Sequence, residues 1–520
     1  MEKIKYFAII ITFFLAISIL LTGSIKGQKG NPIYHQTQLE RDSSVGSPFE
    51  SSGTSSRYAL IEAIVEDRTF FFNKERARFS APDFVEYNGK FFSIFTPGVS
   101  FLGIPFYLFG KSIGLSQLVT FLSTVLLAIL NVFLVVRLAL KLGATLYTAL
   151  LSGFIFLFAT NSLSYAHTLS QHHASVTFIL LALLNVFGPR TFLKNIWLGF
   201  ISGAALLVDI PNILIVLPVI FYVILKHFRI DKISDKFKFS LKLKMIGLLI
   251  GLVPLIGLFG WYNHQLTGSY TKIGQAIGRS DFFEPFEVRE QNRLEKESKD
   301  VSHKIFPLDT RDQMGEFYIL LVSNQRGWLI YSPVILIGVL GVYYLYKNQK
   351  TLAIVVISTI LSNIILYSLF GGLGGWAFGP RYLIPSAAIL SSLIGTVIEK
   401  FKRTMLFILA FSILLAYSLG VNMIGAITTT QVPPKVEAVN LPNPIPYTYE
   451  YNLQLIDKNF TSSLIYNLYL SEIMSVKEFL YVYYAITLMV IVSLYLFILI
   501  QVIVHHLLII TLNTMYLNLC

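Results

Sequence analysis

The chain has 520 residues, of which 54% are hydrophobic and 13% are charged, and its mean hydropathy is +0.64. Soluble domains carry about 25% charged residues, so this composition excludes an ordinary soluble protein and predicts an integral membrane protein. The formal charge of +12 comes largely from short loops between apolar segments, which indicates topology signals rather than nucleic-acid binding. A single cysteine, Cys520, excludes an internal disulfide or a CxxC or zinc pattern.

The N-terminal segment predicts a retained membrane helix. Lys3 and Lys5 precede an apolar stretch from Phe7 to Leu21, which we interpret as an uncleaved helix rather than a signal peptide. The lysines place the N-terminus inside and residues 24–96 outside. Residues 98–109 are apolar but too short to span a bilayer, so we expect an interfacial or re-entrant segment there.

The remaining apolar segments predict an all-α polytopic membrane protein with about 11–13 transmembrane helices. If residues 98–109 do not cross, every short basic loop falls on the inner side, including the most basic one, Lys226 to Lys244. Residues 478–518 are expected to hold one or two helices, interrupted by His505 and His506. The other predicted spans are 115–136, 145–163, 170–188, 195–208, 212–225, 245–262, 329–346, 352–370, 380–398 and 404–426.

The first outer loop is a polar island that follows the first helix. Residues 56–66 have the periodicity of a surface-lying amphipathic helix, and the Asn88-Gly89 pair predicts a tight hairpin turn. The loop also holds carboxylates and an arginine that suit group transfer, since a carboxylate can deprotonate an acceptor and a guanidinium can hold a phosphate. The alternative is that these charged residues only form salt bridges in a solvated loop and have no catalytic role. The candidates are Glu62, Asp67, Asp83 and Arg57.

A second informative stretch is GGLGGWAFGPRYLIP, residues 371–385. Its glycines allow a ligand to approach the backbone, and Arg381, with Tyr382 beside it, suits a phosphate group. An arginine snorkelling at the membrane interface is the alternative. Lys272, Arg279 and Arg326 are further outer-side cations.

Polar residues at two outer helix junctions are expected to line a substrate cavity or, alternatively, to be interfacial only. The histidines lack the i+3 or i+4 spacing of a helical metal pair, so we predict no metal site. Asp209 ends an apolar segment just before Pro211, where a carboxylate needs a partner or water. The cavity candidates are His167, His172, His173, Asp209 and Trp376.

The ordered set of motifs resembles the C-type (GT-C) membrane glycosyltransferases, in the branch of dolichyl-phosphate-mannose protein mannosyltransferase-like and lipid A aminoarabinose transferase-like proteins. The motifs span most of residues 1–400. They are the RYAL helix at 57–60, YNGKFFS at 87–93 with TPG at 96–98, SQHH at 170–173, WYNHQLTGS at 261–269, NQRGWLIYSP at 324–333 and WAFGPRYLIP at 376–385.

The resemblance implies a GT-C-like bundle whose extracytoplasmic first loop contains juxtamembrane helices. It implies residues 1–430 as the catalytic module, with outer loops at 24–96 and 263–328, and residues 431–520 as an outer loop plus a C-terminal helix or helices. The implied reaction is inverting transfer of a sugar from a polyprenyl-phosphate donor, on the outer face of the plasma membrane, to a glycan, lipid or protein acceptor. No cofactor and no catalytic metal are implied.

The chain departs from the family pattern where the acidic residue is expected. Many relatives have Asp-Glu before the Arg-Tyr pair, but this chain has Thr54-Ser55-Ser56, and Ile94-Phe95 replaces an acid-lysine pair. The base is therefore expected to be another carboxylate, first Asp83 and then Glu62 or Asp67. Arg57, Arg381 and Tyr382 are expected at the donor phosphate. A transporter or flippase of a lipid-linked saccharide and a non-catalytic membrane assembly protein are the alternative functions.

Overall fold

The computed structural model describes residues 2–27, 48–233, 236–241, 243–280, 310–369, 376–433 and 449–517. Most of these residues form helices. The helices are α1 (Glu2–Thr22), α2 (Ser52–Glu66), α3 (Lys74–Ser80), α4 (Gly98–Ser112), α5 (Ser116–Lys141), α6 (Leu146–Phe158), α7 (Ser162–Tyr165), α8 (Gln171–Asn185), α9 (Phe192–Val208), α10 (Asn212–His227), α11 (Ile246–Thr267), α12 (Gly274–Ile277), α13 (Thr310–Leu321), α14 (Trp328–Tyr331), α15 (Leu336–Asn348), α16 (Lys350–Leu369), α17 (Ile384–Phe401), α18 (Met405–Ile427), α19 (Glu450–Asp457) and α20 (Val476–Leu517).

The helices confirm an all-α polytopic membrane protein, apart from two small sheets in loops. Within the described ranges, 6 helices are long and apolar enough to cross a bilayer, and five shorter apolar helices accompany them. Helix α20 runs through His505 and His506 without a break, so the interruption predicted there was wrong. The observed helices otherwise follow the predicted apolar segments closely, because long apolar segments of this kind are a strong local signal.

Several of the short basic loops meet at one end of the bundle. Lys194 lies within electrostatic range of Lys141 and Arg190. Asn195 Nδ2, at the start of α9, donates to the Lys244 carbonyl just before α11, at 2.9 Å. The loops after α5, α8 and α10 therefore share one side, as the topology prediction requires.

The opposite end carries residues 48–97, and we call it the loop end. Helix α4 begins beside Leu207 at the end of α9, where a Cβ on Gly98 would lie 2.5 Å from the Leu207 backbone. It ends where Lys111 pairs with Glu66, the last residue of α2. Both ends of α4 thus lie at the loop end, and the chain does not cross the membrane there, as predicted.

Helix α2 is the predicted helix of the first loop, but its position differs from the prediction. Ser51 caps it by accepting from the Thr54 N–H, at 3.3 Å. Every residue from Gly53 to Ala63 is buried, so the expected surface-lying position was wrong. Most of the positions on the first turns are small, including Gly53, Ser55, Ser56 and Ala59, which allows neighbours to pack on every side of the helix.

The first loop also contains a three-stranded antiparallel sheet, in the order β1 (Phe71–Phe72), β3 (Lys90–Ser93), β2 (Phe84–Tyr87). Asn88 and Gly89 have φ values of 50° and 71°, the positive values that a two-residue type I′ turn requires. The predicted hairpin is therefore confirmed. A second hairpin, β4 (Phe228–Ile233) with β5 (Lys236–Leu241), follows α10 in the basic loop.

A buried ion pair joins the end of α1 to distant parts of the chain. Lys26 Nζ lies 3.3 Å from Glu50 Oε1, and both side chains are 1% exposed. The ammonium also donates to Ala426 O at 2.9 Å and to Ser462 Oγ at 2.8 Å. Glu50 Oε2 accepts from Thr430 Oγ1 at 2.6 Å. These contacts hold residues 26 and 50 against the chain that leaves α18.

We predict that breaking this pair destabilises the protein strongly. Lys26→Met leaves a buried carboxylate without its countercharge, which costs about 3–5 kcal/mol, and Glu50→Gln does the reverse. The double variant should recover part of this loss. Lys111→Met, which breaks a partly exposed pair, is the control and should cost less than about 1 kcal/mol. Thermal unfolding in detergent measures the difference, and equal midpoints for Lys26→Met and Lys111→Met would contradict the prediction.

The orientation of the bundle gives a second prediction. In a Cys520→Ser background, the Lys90→Cys variant, at an exposed position, should react with a membrane-impermeant maleimide in intact cells. The Arg403→Cys variant, in a basic loop, should react only after the cells are permeabilised, because basic loops remain on the cytoplasmic side. The reverse labelling pattern would show that the loop end faces the cytoplasm.

Candidate functional site

The candidate site is built around the guanidinium of Arg57, on the second turn of α2. Its Nη1 donates to Gly53 O at 2.9 Å and its Nη2 donates to Gln171 Oε1 at 2.7 Å. Its central carbon lies 3.8 Å from the ring centroid of Phe95, a cation–π contact. Ser100 Oγ, on α4, donates to the Arg57 carbonyl and so fixes the backbone. Among the described residues, Nε of Arg57 has no hydrogen-bond acceptor.

Asp209 and Gln171 bring two further helix ends to Arg57. Asp209 caps α9 at its C-terminal end, and Gln171 is the first residue of α8. The Gln171 side chain hydrogen-bonds Asp209 as well as Arg57, so it bridges the acid and the guanidinium. Burial raises the pKa of Asp209 to about 6, while the Arg57 charge opposes that rise. The carboxyl group therefore titrates close to neutral pH.

Asp83 is the second carboxylate at this centre, and both of its oxygens are engaged. Oδ2 accepts from Ser52 Oγ at 2.7 Å, and Oδ1 lies 2.8 Å from Arg279 Nε. The Arg279 side chain is 63% exposed, whereas that of Asp83 is buried. Arg279 thus covers a buried carboxylate from the solvent side. The Asp83 charge also acts on Arg57.

Two more arginines approach from the second half of the chain. Arg381 precedes α17, and Arg326 lies between α13 and α14. Arg381 Nη2 donates to Tyr382 Oη at 3.3 Å, and Tyr382 stacks on Tyr367 with ring centroids 4.4 Å apart. The Arg381 charge acts on both Arg57 and Arg326. Three guanidinium groups therefore share one electrostatic environment at the loop end.

Burial is the main influence on these cations. It lowers the pKa of Arg57 to about 10, and the repulsion from Arg381 adds to this effect, while Asp209 and Asp83 oppose it. Burial and the Arg381 charge also lower the pKa of Arg326. A bound anion would relieve both the desolvation and the mutual repulsion, so the arrangement is suited to an anionic group such as a phosphate.

Glu62 and Asp67 lie elsewhere in the first loop, around Arg76. Arg76 Nε is 3.6 Å from Glu62 Oε2, and Arg76 Nη1 pairs with Asp67. Burial raises the pKa of Glu62 to about 8, with the Arg76 charge opposing. Asp67 is 45% exposed. The structure therefore brings Asp83, and neither Glu62 nor Asp67, to the Arg57 centre.

The three predicted histidines separate in the structure. His172 lies at the arginine centre, with its ring centroid 4.9 Å from Tyr165 and 5.6 Å from Tyr382. His173 Nε2 is 2.9 Å from the Ser162 carbonyl, inside the helix bundle. His167 Nε2 is 2.9 Å from Ser24 Oγ, beside the Lys26–Glu50 pair rather than the arginines.

The second glycine-rich stretch is described only from Trp376 onward. Trp376 packs edge-on against Tyr451, with centroids 6.4 Å apart. Gly379 has φ +60°, and a Cβ there would lie 3.0 Å from the Tyr331 ring, so this position needs a glycine. The predicted ligand-approach glycines Gly371, Gly372, Gly374 and Gly375 lie outside the described residues.

Sequence reasoning missed Gln171 as a site residue and treated Arg326 and Arg279 only as scattered cations. Gln171 lies within the SQHH motif, but a glutamine at a helix start carries no distinctive chemical pattern. Arg326 and Arg279 come from the second outer loop, which is far in sequence from the first. Only the folded chain shows that they meet Arg381 and Asp83.

An apolar groove is lined by residues that flank Arg326 in the chain and by α15, α16 and α17. It has a volume of ≈ 360 Å³ and is lined by Leu, Ile, Val and Trp side chains. Val322 and Trp328 bracket Arg326 in sequence, and Ile364 follows Asn363, whose side chain donates to the Tyr382 carbonyl. The other lining residues are Leu321, Leu329, Ile335, Leu336, Val339, Val342, Ile357, Ile360, Leu361 and Leu390.

Comparison with known proteins gives a weak structural similarity and no sequence match. No protein-family model and no curated protein sequence matches the chain. The structure is similar to that of ArnT from Cupriavidus metallidurans in the apo state, at 12% identity and TM-score 0.45, covering 93% of this chain and 76% of that chain. ArnT bound to undecaprenyl phosphate gives 12% identity and TM-score 0.42, covering 94% and 75%. Similarity at this level assigns no activity.

Proposed function

We propose that this protein is a membrane glycosyltransferase that moves a sugar from a polyprenyl-phosphate donor to an acceptor at the loop end, which faces outward. The single observation that carries the proposal is the buried Arg57 centre. It combines a guanidinium whose Nε has no acceptor among the described residues, a second and a third arginine nearby, and two carboxylates. Transfer from a lipid phosphate needs those two kinds of group: cations for the leaving phosphate and a carboxylate for the acceptor proton.

In the proposed reaction, the donor phosphate lies against Arg57 and Arg381. Guanidinium groups suit this role because they present several fixed donors and remain charged when buried. Gln171, Gly53 and Phe95 hold the Arg57 fork in place before any ligand arrives. Such preorganisation means that little has to reorder as charge builds on the leaving group.

Asp209 is the better candidate for the base, and Asp83, the first choice from sequence, is the alternative. The acceptor hydroxyl or amine gives its proton to the carboxylate and its lone pair attacks the anomeric carbon. The bond between that carbon and the phosphate oxygen breaks, and the polyprenyl phosphate keeps the electron pair. A carboxyl group with a pKa near 6 is well matched to this role at neutral pH. Both Asp83 oxygens are already engaged by Ser52 and Arg279.

The apolar groove is a suitable place for the polyprenyl tail. Its lining residues are apolar, and they include neighbours in sequence of Arg326 and of Asn363, which hydrogen-bonds the Tyr382 carbonyl. A lipid whose phosphate lies at the arginines would be able to leave its isoprene units in this groove. Val339 and Leu361 are about half exposed, so the groove is open to lipid from the side.

We predict that the arginine fork, and not charge alone, binds the lipid phosphate. Arg57→Lys keeps the charge but loses the fork, so affinity for undecaprenyl phosphate should fall about tenfold, and Arg57→Ala should lower it further. Arg381→Lys should act in the same direction. The control is Arg190→Lys at the basic end, where Arg190 donates to the side chain and the carbonyl of Asn185. Binding of radiolabelled undecaprenyl phosphate in detergent measures this, and unchanged affinity in Arg57→Ala would rule out the site.

We also predict that protonation of Asp209 causes the loss of sugar transfer at acidic pH, the acidic limb of the pH–rate profile. Its pKa is raised, so it is ionised above about pH 6 and protonated below, and a base must be ionised. Transfer should therefore fall as pH drops through about 6. Asp209→Asn should lower transfer by about 10²–10⁴-fold at neutral pH and remove that limb.

The matching variants separate the two carboxylates. Asp83→Asn should reduce transfer less than Asp209→Asn does, and its transfer rate should still fall as the pH drops through about 6. Glu62→Gln should leave transfer nearly unchanged, because Glu62 is the ion-pair partner of Arg76. The assay uses reconstituted protein, radiolabelled polyprenyl-phosphate sugars and a membrane extract as acceptor. An acidic limb that persists in Asp209→Asn and vanishes in Asp83→Asn would transfer the role of base to Asp83.

A further inference from the structure

A small cavity lies beside Phe95, the residue whose ring contacts the Arg57 guanidinium. It has room for about one water-sized group (≈ 10 Å³). Four parts of the chain form its wall: the end of β3 and the segment after it, the α9–α10 corner, the outer end of α11, and the start of α12. Phe95, Ile210, Tyr262 and Asn263 are among the lining residues.

Two buried polar atoms in this lining have no hydrogen-bond partner within the described part of the chain. They are Tyr262 Oη and Asn263 Nδ2, on residues that are 2% and 3% exposed. A buried polar atom that has lost its water and gained no partner raises the free energy of the folded state. Two such atoms on neighbouring residues, at one cavity, indicate that the site receives a polar group from a ligand or from solvent.

The hydroxyl of Tyr262 cannot easily turn elsewhere, because its ring is held on two sides. The ring packs edge-on against Phe70, with centroids 5.1 Å apart, and against Phe101, at 6.2 Å. The position of the hydroxyl is therefore set by the aromatic cluster beneath the first loop. The Tyr262 hydroxyl can donate and accept a hydrogen bond, and the Asn263 amide can donate one. Together they can satisfy both the donor and the acceptor capacity of a ligand hydroxyl.

The cavity is next to the proposed reaction centre. Phe95 lines the cavity, and its ring centroid lies 3.8 Å from the central carbon of the Arg57 guanidinium. Ile210 lines it and directly follows Asp209. None of the described residues that line the cavity is charged, which disfavours a charged ligand group, and the volume excludes a whole sugar ring.

We propose that this cavity binds one hydroxyl group of a saccharide at the reaction centre, with Tyr262 and Asn263 as its hydrogen-bond partners. The inference rests on the proposed function and deepens it, because it names the residues that recognise the saccharide. Tyr262 and Asn263 are specificity-determining residues here and take no part in the chemistry. The saccharide is either the donor sugar or the acceptor, and the same hydroxyl chemistry serves both.

The test compares sugars that differ by one hydroxyl. Probes for the donor are undecaprenyl phosphoglucose and phosphomannose, with the monodeoxy analogue lacking each ring hydroxyl in turn, and undecaprenyl phosphate without sugar. Probes for the acceptor are methyl glucoside and methyl mannoside with their monodeoxy analogues. Binding is measured for purified wild type, Tyr262→Phe and Asn263→Leu. The matched control is Tyr107→Phe, which removes another buried hydroxyl, one that bonds Glu66.

In one probe series, wild type should prefer the hydroxylated sugar to one of its monodeoxy analogues by about tenfold. Tyr262→Phe and Asn263→Leu should reduce that ratio towards one, while Tyr107→Phe keeps it and binding of undecaprenyl phosphate alone stays the same. The series that shows the effect identifies donor or acceptor as the source of the hydroxyl.

Two results would overturn the proposal in different ways. If undecaprenyl phosphate binds in an Arg57-dependent manner but the ratios are the same in wild type and Tyr262→Phe, the cavity holds only water and the proposed function stands. If undecaprenyl phosphate does not bind at all, the proposed function fails and the saccharide site fails with it.

Discussion

The buried guanidinium of Arg57 is the constraint on which the loop end depends. A cation can stay buried only if its donors and its charge are compensated, and Arg57 draws that compensation from several separate segments. Gly53 belongs to its own helix, Phe95 to the chain after β3, and Gln171 to α8. Satisfying one side chain therefore fixes the first loop to the membrane bundle and aligns the ends of several helices.

A second buried cation at the same end shows what a completed structural site looks like. Lys26 uses its three donors on Ala426 O, Thr428 O and Ser462 Oγ, and Glu50 supplies the countercharge. Arg57 differs because one of its N–H groups is left over among the described residues, with other guanidinium groups close by. Lys26 is therefore complete as a purely structural anchor, whereas Arg57 is arranged to accept one more partner. This contrast is the reason for placing an anion at Arg57.

The sequence predicts the helices and the hairpin well but only part of the site. Apolar runs and the Asn88-Gly89 turn are local signals, whereas the direction of a side chain depends on packing. Arg57 and Glu62 are five residues apart on α2, so they point about 140° apart. Since α2 is buried on every side, its pattern could not show which face meets the site. Asp209 and His172, two of the predicted cavity residues, lie near Arg57 because their helix ends converge there.

The proposed chemistry explains why a carboxyl group that titrates near neutral pH belongs beside arginines. When the acceptor proton moves to Asp209, one negative charge disappears from the carboxylate. The departing phosphate gains one negative charge in the same step, so the total charge facing Arg57 and Arg381 does not change. The arginines then need little rearrangement as the reaction proceeds, which is the condition for electrostatic preorganisation. Asp83 already has Arg279 as an ion-pair partner at 2.8 Å, so this balance is assigned to Asp209.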